Sequence, residues 1–289
     1  PWNGVVGLLV GRLCRARTAY FSVGGPAEII GGGLYSEHAL FRRIGRENAD
    51  LEARFLKLIN RFDSVLTMGS GSASWFRAAG VDVPVWPMGA GVDGTAFRLR
   101  ESSATRGATA HDFVTVARLA PIKRLDLLIR AIARLRDNGT WLSAVIVGEG
   151  ADRPHLEALI KQNDLEKNVT LAGFQSEVET WLKSSRLFVM TSASEGLPLA
   201  IIEAMLCGLP VVAPAVGDIP DVVEDGRSGF LFTPGDLDSC IAALRKAVSI
   251  PDLHAMGVRA RASAVSFTVE ARADLWAEWL ASQRVVDAA

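Results

Sequence analysis

A surplus of positive charge, paired cysteines and long apolar runs are all missing from this 289-residue sequence, and each absence removes a class of function. Lys and Arg number 31 against 32 Asp and Glu, a net charge of −1, so no excess of cations is available to neutralise a phosphate polymer and nucleic acid is not expected as a partner. The three cysteines, Cys14, Cys207 and Cys240, are an odd number without paired spacing. They argue against a disulfide framework and for a reducing, cytoplasmic compartment. With only 4 histidines and no Cys-x-x-Cys pair, no zinc site is predicted. The longest apolar stretches, Gly4 to Gly11 and Leu209 to Val216, fall far below the ~18–20 residues that cross a bilayer. Neither a transmembrane helix nor a signal peptide is predicted.

What is present is a globular composition, 49% hydrophobic and 22% charged with mean hydropathy +0.23. At about 100–150 residues per domain, two domains are expected. The chain opens on Pro1, and the apolar helical residues Val5 to Val10 have no capping residue before them, so the beginning is expected to be cut off. The pattern predicts a helix ending near Arg15, a strand at Thr18–Val23 and a glycine-dense stretch with Gly24, Gly25 and Gly31 to Gly33. Leu51, Phe55, Leu58 and Ile59 recur at helical spacing. Strand Ser64–Met68, helix Gly71–Ala79 and strand Val83–Trp86 follow, and the aperiodic segment Arg98–Ala110 reads as a linker.

Beyond the linker, apolar strands at Phe113–Val116, Ala144–Val147, Val169–Leu171, Leu187–Met190, Val211–Ala213 and Gly229–Phe232 alternate with helical segments. That alternation predicts an α/β fold whose parallel sheet is buried on both faces. Val269–Val286, with Trp276, Trp279 and Leu280 at helical spacing, predicts a last helix that closes back over the first domain. The expected division is 1–100, 101–265 and 266–289.

In an open parallel sheet, ligands bind beyond the carboxyl ends of the strands. Arg118 and Lys123 follow the strand Phe113–Val116 and lead into a helix. They are either solvated surface cations or, with the helix N-terminus, a site for a diphosphate. Gly148 and Gly150 flank Glu149 after Ala144–Val147, and serve a tight turn or a close ligand equally well. The fingerprint G-x-G-x-x-G fails at Arg153, which counts against a dehydrogenase. After Leu187–Met190, a loop carries Glu195, Pro198 is placed in the first helical turn, and Gly208 ends the helix. The amides of Gly196, Leu197 and Leu199 point toward the strand ends, where they can hold phosphate oxygens. Glu203 lies among Ala200, Ile201, Ile202, Ala204 and Met205, and such a carboxylate needs a partner. Ribose hydroxyls, solvent and an arginine elsewhere all satisfy that need. Gly217 to Val223 reads as ordinary turn chemistry opening a short helix.

Arg118 with Lys123, the Gly148-Glu149-Gly150 turn, and Glu195 and Glu203 with seven residues between them make the span Phe113–Val248 resemble the donor domain of retaining GT-B glycosyltransferases of the family-four-like, group 1 type. The stretch Pro87 to Phe97 is similar to the family's junction motif, with its Asn replaced and residues inserted. The resemblance implies GT-B architecture, two Rossmann-like domains with parallel sheets facing across a cleft, the first incomplete by roughly 80–100 residues. It also implies transfer of a hexose, with retention, from a UDP- or GDP-sugar to a hydroxyl of a carbohydrate or lipid-linked acceptor, as in polysaccharide biosynthesis. In that family the departing phosphate is implicated as the base, and no essential metal or other cofactor is expected. By the same resemblance Arg118, Lys123 and the amides of Gly196, Leu197 and Leu199 hold the diphosphate. Glu203 binds the ribose, Glu195 lies beside the donor sugar as the catalytic residue, and Phe174, Gly148 and Gly150 lie near the base. Two alternatives stay open: a donor-binding but inactive remnant or partner subunit, and a GT-B-fold nucleotide-sugar epimerase. Arg12, Arg15 and Arg17, with Arg42, Arg43 and Arg46, predict peripheral contact with the inner membrane surface.

Overall fold

The computed structural model describes residues 2–30, 48–89, 91–99 and 110–285. Gly31–Gly33, Arg42, Arg43, Arg46, residues 100–109 of the expected linker and Val286 lie outside the described residues. By contacts the chain separates into two compact units: Pro1–Gly91 with Glu195–Leu197 and Glu270–Ala289, and Val92–Ser194 with Pro198–Val269.

The first unit holds α1 (Trp2–Leu13), β1 (Ala19–Ser22), α2 (Ala49–Ile59), β2 (Ser64–Thr67), α3 (Ser70–Ala78) and β3 (Val85–Pro87). The three strands among its described residues are parallel in the order β1-β2-β3. Every residue of β2 is buried because that strand is the middle one. Pro87 is accommodated because β3 is an edge among the described strands, where a missing N–H breaks no ladder. Asn48 caps α2 by accepting from the Leu51 amide at 3.1 Å, and the helix then turns Phe55 and Ile59 into the core. There the Tyr20 ring meets Phe55, Phe62 and Phe76 at centroid distances of 6.1, 5.6 and 6.4 Å. Tilted and edge-on aromatic pairs of this kind add about 0.5–1.5 kcal/mol each beyond the area they bury. The final helix, α10 (Val269–Val285), sets Trp276 edge-on to Phe21 at 6.3 Å, and the Trp279 indole donates to Ser64 Oγ at 3.4 Å.

The second unit contains β4 (His111–Val116), α4 (Leu125–Asp137), β5 (Ala144–Val147), α5 (Arg153–Gln162), β6 (Val169–Gly173), α6 (Val178–Lys183), β7 (Ser185–Val189), α7 (Leu199–Leu206), β8 (Val211–Pro214), β9 (Gly229–Phe232), α8 (Leu237–Val248) and α9 (Leu253–Val265). All six strands are parallel, in the order β6-β5-β4-β7-β8-β9. Phe113, Leu128, Ile132, Ile146, Val189, Val212 and Leu244 belong to its core, and Phe113 is completely enclosed. Truncating such a phenylalanine to alanine costs about 3–5 kcal/mol.

This strand order is built outward from the centre. The chain adds β5 and β6 on one side of β4, then crosses back to place β7, β8 and β9 on the other. The reversal falls between β4 and β7, and in open parallel sheets such a switch point is where a ligand crevice lies at the carboxyl edge. No helix among the described residues is long and apolar enough to cross a membrane.

Candidate functional site

The loop after β4 runs through a 3-10 turn, Pro121–Lys123, which the apolar pattern did not reveal. Arg124 then adopts left-handed backbone, φ 47° and ψ 41°, as the cap of α4. For a residue with a Cβ this costs of order 1 kcal/mol, and the Arg124 side chain is fixed by Asp126 at 3.0 Å. Arg118 is exposed, and its side chain has no ion-pair or hydrogen-bond partner among the described residues. Lys123 is half-buried. Both cations are thus carried by the segment that leaves β4 at the switch point of the sheet.

The loop after β7 is stitched to that segment. Thr191, itself buried, donates its hydroxyl to the Lys123 carbonyl at 3.0 Å, and the Ala193 amide donates to the Ile122 carbonyl at 2.8 Å. Between the two stitches the Ser192 hydroxyl is buried and has no hydrogen-bond partner among the described residues. Sequence reading missed this pairing, because nothing in the spacing of Thr191 and Lys123 marks them as neighbours.

Gly148 and Gly150 pack against backbone. A Cβ on Gly148, whose φ is 142°, would lie 1.9 Å from the Ala117 carbonyl oxygen, and one on Gly150 would lie 2.2 Å from that of Leu119. Backbone bonds from Ala117 N to Val147 O and from Leu119 N to Glu149 O, both 3.0 Å, hold the loops at that distance. These glycines let the β5 loop lie flush against the Arg118 loop, a close backbone approach that neither the turn nor the ligand reading of the sequence describes. Phe174, after β6 at the same edge, is 78% exposed.

Pro198 is not in the first helical turn. It is the cap before α7, with extended backbone at φ −74° and ψ 121°, and Leu199 begins the helix. The Leu199 amide donates to no acceptor among the described residues, as expected at a helix N-terminus. Ile201, Ile202, Ala204, Met205 and Leu206 are all buried, which fixes how α7 can rotate. Glu203, one turn into the helix, is half-buried and accepts no hydrogen bond among the described residues. Burial holds its carboxyl above the usual glutamate range. Glu195, Gly196 and Leu197 group with the first unit, where a Cβ on Gly196 would approach the Val23 carbonyl oxygen to 2.1 Å. Gly217–Val223 forms a 3-10 turn at Ile219–Asp221. Among the described residues no group of three or more His, Cys, Asp or Glu is placed to hold a metal ion.

Residues 101–262 match the family described as glycosyl transferases group 1. A D-inositol 3-phosphate glycosyltransferase of Streptomyces scabiei is 35% identical over 173 residues, which is 56% of this chain and 39% of that protein. A putative colanic acid biosynthesis glycosyltransferase of Escherichia coli, WcaL, is 36% identical over 154 residues, 50% of this chain and 37% of its own length. The chain thus spans about two fifths of these curated relatives. Among solved structures, Anabaena HepE in complex with UDP superposes with a TM-score of 0.77 at 26% identity, covering 96% of this chain and 76% of HepE. Sucrose-phosphate synthase from Thermosynechococcus elongatus gives 0.79 at 21% identity, over 99% of this chain and 72% of that one, and shares the fold. The two parallel sheets are those of the GT-B class, and the chain belongs to the group 1 glycosyltransferases.

Proposed function

We propose that the chain binds a nucleotide sugar at the β4/β7 crevice and transfers its hexose, with retention, to a hydroxyl of a carbohydrate or lipid-linked acceptor. One observation carries this reading: a half-buried carboxylate, Glu203, without a protein partner among the described residues, one turn below the open amide of Leu199. An amide end that favours anions and a carboxylate that accepts hydroxyl protons suit the diphosphate and the ribose of one nucleotide. HepE, the relative noted above, has also been solved with UDP-glucose. That supports a UDP-sugar donor here.

In this reading Arg118, Lys123 and the amides of Gly196, Leu197 and Leu199 take the diphosphate, Glu203 takes the ribose, Glu195 lies beside the hexose, and Phe174, Gly148 and Gly150 border the base. The bond between the sugar's anomeric carbon and the diphosphate breaks as the acceptor oxygen bonds to that carbon, and the hydroxyl proton passes to the departing phosphate. Negative charge grows on the diphosphate, where cations and N–H dipoles stabilise the transition state more than the ground state.

The test is release of UDP or GDP from a panel of UDP- and GDP-hexoses, with and without hydroxyl acceptors. Release that requires acceptor supports transfer. Conversion of the hexose without acceptor would identify an epimerase, and binding without turnover a donor-binding partner subunit.

We also propose that α1 rests on an anionic lipid surface. Val6, Leu9, Val10 and Leu13 are 61%, 59%, 52% and 86% exposed, at the i, i+3, i+4, i+7 spacing of one helix face, and exposed Arg12, Arg15 and Arg17 cluster at its end. Sedimentation with phosphatidylglycerol vesicles should exceed that with phosphatidylcholine and fall in Leu9→Glu. Equal sedimentation would remove this contact.

A further inference from the structure

We infer that Thr191 is a positioning residue for Lys123, tying the two loops of the β4/β7 crevice into one rigid edge; this rests on the reading of Lys123 as a diphosphate ligand. A lysine side chain is a point charge on a flexible stem, and its grip on a phosphate depends on how firmly the stem's root is held. At Lys123 the root is held from both sides. Its amide donates to the Ala120 carbonyl at 2.9 Å, closing the 3-10 turn. Its carbonyl is left out of the first turn of α4, where the Leu127 amide bonds the Arg124 carbonyl instead at 2.9 Å, and it is the Thr191 hydroxyl that reaches Lys123 O, at 3.0 Å.

The geometry leaves Thr191 little else to do. Its side chain is buried at the end of β7, directly beyond Met190, whose amide still belongs to the sheet through the Val212 carbonyl at 2.9 Å. The hydroxyl therefore projects from a rigid strand end onto a loop strained at Arg124, and the neighbouring Ala193–Ile122 bond of 2.8 Å prevents the two segments from sliding. A left-handed Arg124 persists only when its surroundings hold it, and the Thr191 bond to the preceding carbonyl is part of that restraint.

The experiment is a double-mutant cycle on the whole chain, read by calorimetric titration with UDP and GDP, with thermal melts of each variant without ligand. Thr191→Val keeps the shape and removes the donor. It is expected to weaken nucleotide binding about three- to tenfold, the size of one buried hydrogen bond, and Thr191→Ser to restore it. In a Lys123→Ala background, Thr191→Val should cause no further loss, because the residue acts through Lys123. Unchanged affinity in Thr191→Val, or the same loss in both backgrounds, overturns the assignment. Full affinity in Lys123→Ala alone overturns the reading of the diphosphate site and this assignment with it. Thr191→Cys, a far weaker donor of similar size, stands in if the valine variant does not fold.

Discussion

Cys207, the residue that caps the end of α7, donates its amide to the Glu203 carbonyl one turn earlier at 3.1 Å, and burial drives both side chains toward their neutral forms. The Glu203 carboxyl is raised by desolvation, and the Cys207 thiol is pushed up to about 12, first by burial and then by the negative charge of Glu179, with Glu203 adding to it. Two ionisable groups on so apolar a helix have opposite meanings. Cys207 behaves as a small core side chain, whereas Glu203 retains access to solvent and an open coordination shell.

Glu203 should make the fold less stable as pH rises. Its folded pKa lies above the unfolded one, so its stabilising contribution is complete below the ordinary value near 4.5 and is lost as pH climbs through the raised folded value. Glu203→Gln is therefore expected to melt at a higher temperature than the unaltered chain at neutral pH and to converge with it below about pH 4.5. Melts without ligand at a series of pH values check this. Identical curves for both proteins across the range would show that the carboxylate finds a partner when the nucleotide is absent.

The thiols should divide by burial. Cys14 is exposed, while Cys207 and Cys240 are buried with thiols both pushed up to about 12. An aromatic disulfide reagent at pH 8 is expected to label Cys14 in the native chain and all three only after unfolding. Rapid labelling of Cys207 in the native state would contradict the packing of α7.

Gly150→Ala is expected to damage two loops at once. Its Cβ would lie 2.2 Å from the Leu119 carbonyl oxygen, a backbone atom that cannot rotate aside. The Arg118 loop must shift, so both melting temperature and nucleotide affinity should fall. A variant that loses neither would place the β5 loop farther from Leu119 than found.

Lys123→Ala should weaken nucleotide binding by about 1.5–3 kcal/mol, the range of a charge-assisted hydrogen bond. Because Arg118 is exposed, its contribution should be screened by salt. Titrations at low and high ionic strength are expected to diverge in the unaltered chain and to draw together in Arg118→Ala.

Much of the second sheet was legible in the sequence because its strands are buried on both faces and read as continuous apolar runs. β5 at Ala144–Val147 and β9 at Gly229–Phe232 have the bounds the pattern predicts. β4 begins two residues earlier than predicted, at His111, because Asp112 accepts from Ser143 at 2.9 Å and from Arg186 at 2.7 Å and so extends the strand through polar residues. β7 likewise begins at Ser185, whose hydroxyl is satisfied by the Trp181 carbonyl at 2.9 Å. Hydrophobic periodicity is blind to such bonds. It is equally blind to the strand order, and hence to the Thr191–Lys123 stitch that the order creates. The candidate site residues at strand ends are visible as types in positions, but the packing of Gly148 and Gly150 against Ala117 and Leu119 depends on the fold and is not legible in the spacing.

Whether a nucleotide is held between the β4 loop and α7 is decided by calorimetric titration of the chain with UDP and GDP, repeated on Arg118→Ala and Glu203→Ala. One nucleotide is expected to be selected, and each substitution to weaken its binding, Glu203→Ala through the ribose and Arg118→Ala through the diphosphate. Binding of equal strength in all three proteins would place the nucleotide away from the β4 loop and α7.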